Sequence, residues 1–111
     1  MRILIFGIIA VGWWLLDQST TVFAQRYCAG GTRTTLTGTI VRAEQKIDYQ
    51  GKDFWTIDPS GLSREGCVSD SLFGYGRLPI ECSAGRRFTA SGRIEDLGAY
   101  FDLEVSSIQC R

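Results

Sequence analysis

All four cysteines of this 111-residue chain lie between positions 28 and 110, at Cys28, Cys67, Cys82 and Cys110. An even number of cysteines in a short chain is typical of a small domain that disulfides hold together. A four-cysteine zinc site is the alternative, but such sites usually draw their ligands from close C-x-x-C pairs. Here the nearest two cysteines are 15 positions apart. The sequence therefore predicts two disulfides and no metal site.

Four cysteines can pair in three ways, and the sequence alone does not choose among them. We favour Cys28–Cys110, which ties the start of the domain to its last residues, together with Cys67–Cys82, which closes a mid-chain segment rich in Gly and Ser. Chain entropy gives about 3 kcal/mol for the short loop and about 4 to 5 kcal/mol for the long one. Either value is a large share of a small domain's stability.

The N-terminus has the three parts of an export signal. Arg2 supplies a positive start, residues 3–16 form an apolar run, and Val22 and Ala24 are small residues at the positions that an export peptidase reads. A retained membrane anchor is the alternative, but a spanning helix needs about 20 apolar residues. Asp17 ends this run early. We predict cleavage after Ala24 and a secreted or periplasmic protein that is not embedded in the membrane.

The chain thus divides into a signal peptide, residues 1–24, and a single domain over residues 25–111. It contains no histidine, so it has no Ser-His or Cys-His nucleophile pair. Asp48, Asp53 and Asp58 lack the spacing of an acidic calcium loop. We therefore expect no enzyme, no catalytic residue and no cofactor. The formal net charge is zero, so the protein lacks the overall field that draws proteins to nucleic acid.

Alternating apolar and polar residues predict strands over 34–43, 54–58, 86–94 and 100–108. Gly38, in the first of these, indicates a bulge or a sharp coil. Gly and Ser interrupt the pattern over residues 60–85, where we place one short strand at Cys67-Val68 and another over 78–82, with a short helix as the alternative to one of them. Four or five short strands suit a small closed barrel, because closure removes exposed strand edges.

Four segments resemble the strand series of an OB-fold: TLTGTIV at 35–41, FWTI at 54–57, GRRFTASGRI at 85–94 and LEVSSI at 103–108. In particular, the chain is similar to exported bacterial OB-fold-like domains of unknown function. The resemblance implies an all-β fold, a small five-stranded Greek-key barrel with room for one short helix, here stapled by disulfides. These domains offer no catalytic motif, so the resemblance transfers no site residue.

An OB-type barrel presents a shallow sheet face that binds ligands through aromatic stacking and polar side chains. The candidate binding residues are aromatic rings and arginines: Tyr49, Trp55, Phe73, Tyr75, Arg64, Arg77, Arg87 and Arg93. Phe54 and Trp55 lie on opposite faces of their strand, so only one of them points into the core. Arg87 and Arg93 share a wet strand face, where the alternative to ligand binding is pairing with Asp102 and Glu104 on the next strand.

These observations favour a non-catalytic function. We expect an exported binding or accessory module of the bacterial envelope, whose partner is an envelope protein, a peptide or a glycan. A structural or inhibitory secreted protein, acting through its surface without a small ligand, is the first alternative. A nucleic-acid-binding OB protein is the second, and neutral charge and export disfavour it.

Overall fold

The structure, a computed structural model, describes residues 26–63 and 66–111. The predicted signal peptide and Arg64 lie outside these residues. Seven strands make up the regular structure of this part of the chain: β1 (Arg26–Tyr27), β2 (Arg33–Ile47), β3 (Asp53–Ser60), β4 (Cys67–Val68), β5 (Ser71–Tyr75), β6 (Arg87–Asp96) and β7 (Phe101–Cys110). The short helix that the sequence left open is not among the described elements, and no described helix could span a membrane.

Five of these strands close into a barrel in the order β2-β3-β5-β7-β6. Neighbouring strands run antiparallel, except for β5 and β7, which are parallel. This is the five-stranded OB-like barrel that the sequence predicted. Outside it, β1 and β4 form a two-stranded parallel sheet. Closure satisfies the backbone groups that an open sheet would leave at its edges.

The barrel closes because β2 is long enough to pair on both sides. It pairs with β6 from Arg33 to Thr39 and with β3 from Thr39 to Ile47. The strand is tightly packed at Gly38, where a Cβ atom would lie 2.8 Å from the carbonyl oxygen of Ser60. Glycine therefore permits the sharp coil that its position predicted, while the bulge itself falls between Ile40 and Arg42.

Alternate residues of each barrel strand fill the interior. The largest fully buried side chains of the described residues are Leu36, Ile40, Ile57, Leu72, Ile94 and Leu103. The pattern of β6 shows the arrangement, since Phe88 and Ala90 are buried while Thr89 and Ser91 are only half-buried. The apolar residues that recur at every second position in the sequence are thus the residues that form the core.

The strand predicted over residues 78–82 is wrong. That stretch forms turns, with the Cys82 amide donating to the Pro79 carbonyl, and the third barrel strand is β5, whose Gly74 disrupts the sequence pattern. Gly74 is buried against the indole of Trp55, and a Cβ at this position would lie 2.5 Å from Cε2 of that ring. A glycine that reads as a strand breaker is therefore required by packing.

The favoured disulfide pairing is also wrong, although two disulfides are present. The bonds join Cys28 to Cys67 and Cys82 to Cys110. Parallel pairing of β1 with β4 brings Cys28 and Cys67 to a Cα separation of 5.4 Å. The loop before β6 brings Cys82 to the end of β7, with a Cα separation of 5.2 Å. Strand neighbours, which the chain order does not reveal, decided the connectivity.

Candidate functional site

The outer wall formed by β3 and β5 carries three aromatic rings. Phe54 lies directly opposite Tyr75 across the two strands, and Phe73 lies opposite Thr56. The rings of Phe73 and Tyr75 meet edge to face, with their centroids 5.9 Å apart. Tyr75 is 68% exposed, whereas Phe54 and Phe73 are half-buried. We call Phe54, Phe73 and Tyr75 the aromatic face.

Trp55 does not belong to this face, because its indole is 4% exposed and packs in the core. Its strand alternates, so that Trp55 and Ile57 point inward while Phe54 and Thr56 point outward. The sequence made Trp55 a candidate binding residue, but Phe54 is the residue of β3 whose ring lies on the outer wall. The signal that could have found it is Ile57, since an aliphatic residue two positions away marks the inward side.

The turn between β2 and β3 stands beside the aromatic face and is held in one conformation. The carboxylate of Asp48 accepts hydrogen bonds from the amides of Gln50 at 2.8 Å and Lys52 at 2.9 Å. Gly51 supplies the positive φ, 80°, that the turn requires. Tyr49, at the tip, is 95% exposed. The turn thus presents Tyr49 and Lys52 on a fixed backbone.

Gln45 fastens the chain that follows β5 to the same end of the barrel. Its Nε2 donates to the carbonyls of Phe54 and Gly76, each at 3.0 Å, and its Oε1 accepts from the amide of Leu78 at 2.8 Å. Arg77 lies between the two anchored residues and is exposed. A single side chain therefore holds the backbone that carries Arg77.

Two cations, Lys46 and Lys52, lie beside the aromatic face, and a third, Arg77, lines a separate cavity with Gln45 and Leu78. Lys46 lies opposite Phe54 across the strands and is 3.7 Å from the carboxylate of Glu44. Lys52 and Arg77 make no ion pair with any described side chain. These two residues are exposed, so their charges are available to an anion.

A cavity of about 560 Å³ opens between the β2–β3 turn and the end of β5. Its lining contains two carboxylates, an amide, an ammonium group and an aromatic ring, from Asp48, Gln50, Asp53, Lys52 and Tyr75, together with Gly76. The volume is within the range of small-molecule sites. Among the described residues, no group of three metal-ligating side chains is present.

Two of the predicted arginines lie on another wall. Arg87 and Arg93 belong to β6, which has no contact with β3 or β5 in the barrel order. Arg93 pairs with Glu104 at 3.0 Å and with Glu95 at 3.5 Å. The alternative of pairing across the strands is therefore correct for Arg93. Neither arginine joins the aromatic face.

The carboxylates beside Arg93 influence each other. Glu95 and Glu104 share a hydrogen bond, which raises the pKa of Glu95 and lowers that of Glu104. The charge of Arg93 lowers the pKa of both groups. This cluster of one arginine and two carboxylates lies on the β6–β7 wall. The cation of Arg93 is already paired and is not free to bind a ligand.

Asp102 has a different environment, since it lies on β7 next to β5. Burial raises its pKa, and a hydrogen bond from the hydroxyl of Ser71 opposes this effect in part. The folded state thus disfavours the ionised carboxylate. The associated stability is present below the ordinary pKa of an aspartate and is lost as the pH rises through the raised value.

We expect Asp102→Asn to raise the melting temperature at pH 7 by about 2 °C, because asparagine removes the charge but keeps an acceptor for Ser71. The small size reflects solvent screening of a group that is not fully buried. Melting curves at pH 7 and pH 3 test this, and the difference should shrink at pH 3. The exposed Glu81→Gln is the control. A lower melting temperature at pH 7 for Asp102→Asn would contradict the interpretation.

The fold and the aromatic face together define an OB-fold-like five-stranded barrel. No family model matches the chain, and no curated protein matches it. Several solved structures do match the chain. A deletion variant of the single-stranded DNA binding protein from Thermus aquaticus superimposes with a TM-score of 0.53 at 14% identity, over 76% of this chain and 52% of that one. The chain therefore spans about half the length of that protein.

A second similar structure is the protein PriB from Ralstonia solanacearum, with a TM-score of 0.50 and 13% identity, over 74% of this chain and 97% of that one. These similarities establish the fold. They also overturn two expectations, that of an envelope module for proteins, peptides or glycans and that of an unlikely nucleic-acid partner, because a protein of the same fold is a single-stranded DNA binding protein. Zero net charge does not by itself exclude such a partner, because it averages over the whole surface whereas stacking is local.

Proposed function

We propose that this protein binds single-stranded nucleic acid across the aromatic face, without catalysing a reaction on it. The observation that carries the proposal is the position of Phe54, Phe73 and Tyr75 on the outer side of β3 and β5. These are the second and third strands of the barrel, the wall on which OB-folds bind oligonucleotides. Base stacking on such rings contributes about 1–3 kcal/mol per base.

The charges around the face suit a ligand that is held mainly by stacking. Lys52 is free to contact phosphates, while Lys46 is shared with Glu44. With so few free cations, counterion release contributes less than it does in strongly basic proteins. A chain of zero net charge can therefore bind single strands, provided that their bases reach the rings.

The setting of this activity follows from the cysteines. All four are paired in the two disulfides, which indicates an oxidising compartment. We propose further that the N-terminal signal directs the protein to a secreted or periplasmic location. The nucleic acid that it binds is then material outside the cytoplasm. The apolar run over residues 3–16 and the disulfides support this proposal.

Substitution of Tyr75 tests the proposed function. We expect the wild-type protein to bind a fluorescent dT12 oligonucleotide, and Tyr75→Leu to bind it about tenfold more weakly, because leucine keeps apolar area but has no π face to stack on. Tyr75→Phe retains the ring and should bind within about twofold of wild type. Fluorescence anisotropy titrations measure all three affinities.

Charge variants supply the matched control for that titration. Lys52→Ala removes a free cation that shares a cavity with Tyr75, and Arg87→Ala removes one from the β6 wall. The first should weaken binding severalfold, and the second should leave it unchanged. Absence of wild-type binding, or equal affinities for wild type and Tyr75→Leu, would refute the proposal.

A further inference from the structure

The cavity beside Tyr75 contains one carboxylate that the fold does not use. The Asp48 carboxylate already accepts two backbone amides of the turn. Asp53 differs, because its backbone is engaged, by pairing with Ile47 and by the amide of Gly76 at 2.9 Å, but its carboxylate is not. Its side chain is half-buried and has no partner among the described residues. Asp53 is therefore a free double acceptor in the cavity wall.

A free carboxylate is unfavourable in a site that only holds phosphates, because like charges repel. It is favourable where it meets hydrogen-bond donors, and an ionised carboxylate has two acceptor oxygens and no donor. The matching ligand group has two adjacent N–H donors. Because Asp53 lines the same cavity as the exposed Tyr75, we infer that this end of the site contacts the edge of a base.

Guanine is the base that presents such an edge. Its Watson–Crick edge offers the N1–H and N2–H₂ donors side by side, and this edge is accessible in a single strand. Cytosine offers a single donor group at N4. Adenine has a ring-nitrogen acceptor beside its N6 amine, and its lone pair would repel the carboxylate. Thymine has one N–H between two carbonyl acceptors, and a carbonyl lone pair would repel the carboxylate in the same way.

We propose that the cavity lined by Asp53, Lys52 and Tyr75 is a guanine-selective subsite for a single strand, an inference that rests on the proposed function. Asp53 accepts the two donors of the base, the ring of Tyr75 stacks on its face, and the ammonium group of Lys52 contacts the adjoining phosphate. The cavity of about 560 Å³ is large enough for a nucleotide. The remaining rings, Phe73 and Phe54, bind neighbouring bases without selectivity.

The test compares oligonucleotides that differ at one position. Affinities are measured for dT12 and for the same strand with a single central guanine, hypoxanthine or adenine. We expect the guanine strand to bind about tenfold more tightly than the adenine strand, since a bidentate contact discriminates by at least that factor. The hypoxanthine strand, which lacks the N2 amine, should have an intermediate affinity.

Asp53→Asn identifies the residue responsible. Asparagine presents one donor and one acceptor, the arrangement that matches adenine, so the variant should lose the guanine preference and favour the adenine strand while it still binds dT12. Asp58→Asn is the control, because Asp58 lies on the same strand outside the cavity and contacts Arg42. It should keep the guanine preference.

The outcomes separate the two proposals. Binding of dT12 with no preference for guanine, or a preference that survives in Asp53→Asn, overturns the guanine subsite and leaves single-strand binding intact. Failure of the wild-type protein to bind any of the four strands overturns both. Melting curves of the variants show whether a loss of preference reflects a loss of folding.

Discussion

Removal of the disulfide between Cys82 and Cys110 by a double alanine substitution is expected to lower the free energy of unfolding by about 3.5 kcal/mol. The two cysteines are separated by 28 positions in the sequence. When the bond is absent, the unfolded chain gains the conformational entropy of the loop that the bond would close. The same substitution at Cys28 and Cys67, separated by 39 residues, is expected to cost about 4 kcal/mol. Loss of both approaches the entire stability of a small domain.

Urea unfolding followed by tryptophan fluorescence measures these values. Trp13 and Trp14 belong to the predicted signal peptide, so Trp55 in the core is the reporter of the mature domain. Both double variants should shift the midpoint to lower urea. A peptide map of the unreduced wild-type protein provides the control for connectivity. Recovery of a peptide joining Cys28 to Cys110, or midpoint shifts equivalent to less than about 1 kcal/mol, would contradict this account.

The two disulfides should also stabilise different parts of the structure. Cys28–Cys67 joins the two-residue strands β1 and β4, which also contact neighbouring residues through Tyr27. Tyr27 donates a hydrogen bond to Asp70 at 2.7 Å and stacks on Phe101. Loss of the Cys28–Cys67 disulfide should free the small β1–β4 sheet before the barrel opens. Loss of Cys82–Cys110 should instead release the loop before β6 from the end of β7.

Gly92→Ala is expected to destabilise the protein by about 3 kcal/mol. A Cβ at this position would overlap the carbonyl oxygen of Glu104 and lie 2.9 Å from the Cα of Val105. Both atoms belong to the backbone of β7, which cannot withdraw without losing its hydrogen bonds to β6. Gly92 sits at the register shift that follows Ser91, so the two strands approach each other at this bulge because the side chain is missing.

Gly30→Ala is the matched control for that measurement. A Cβ there would lie 3.3 Å from the Cβ of Asp96, the last residue of β6, which is a slightly close contact rather than an overlap. Its cost should stay below about 1 kcal/mol. Chemical denaturation of the two variants gives the comparison. Equal stabilities of Gly92→Ala and wild type would show that the β6–β7 pairing tolerates a side chain at the bulge.

The two function proposals depend on different parts of the same wall. Stacking requires only that Phe54, Phe73 and Tyr75 face outward, which follows from the alternation of β3 and β5. Guanine selectivity requires, in addition, that the turn between β2 and β3 brings Lys52 close to Asp53 and the end of β5. The turn is held by Asp48 and Gly51, so the second requirement has its own structural support.

Part of the site could be predicted from local pattern. Tyr75 and Phe73 were candidates because they are aromatic residues in a barrel, and both belong to the aromatic face. Phe54 was missed because the choice between it and Trp55 depends on which side of the strand is buried. Arg87 and Arg93 were candidates because they share a strand face, but that face belongs to the opposite side of the barrel. A sequence contains the alternation of a strand but not its neighbours.

The sequence by itself determined the all-β class, the presence of two disulfides and the inward faces of β2 and β6, because alternation and cysteine number are local properties of the chain. Only the tertiary structure decided which cysteines pair, that Ser71–Tyr75 is a strand although it contains Gly74, and that the aromatic rings and Lys52 meet at one end of the barrel. Each of these depends on contacts between segments far apart in the chain. Such contacts are set by strand order and by the packing of Trp55 against a glycine.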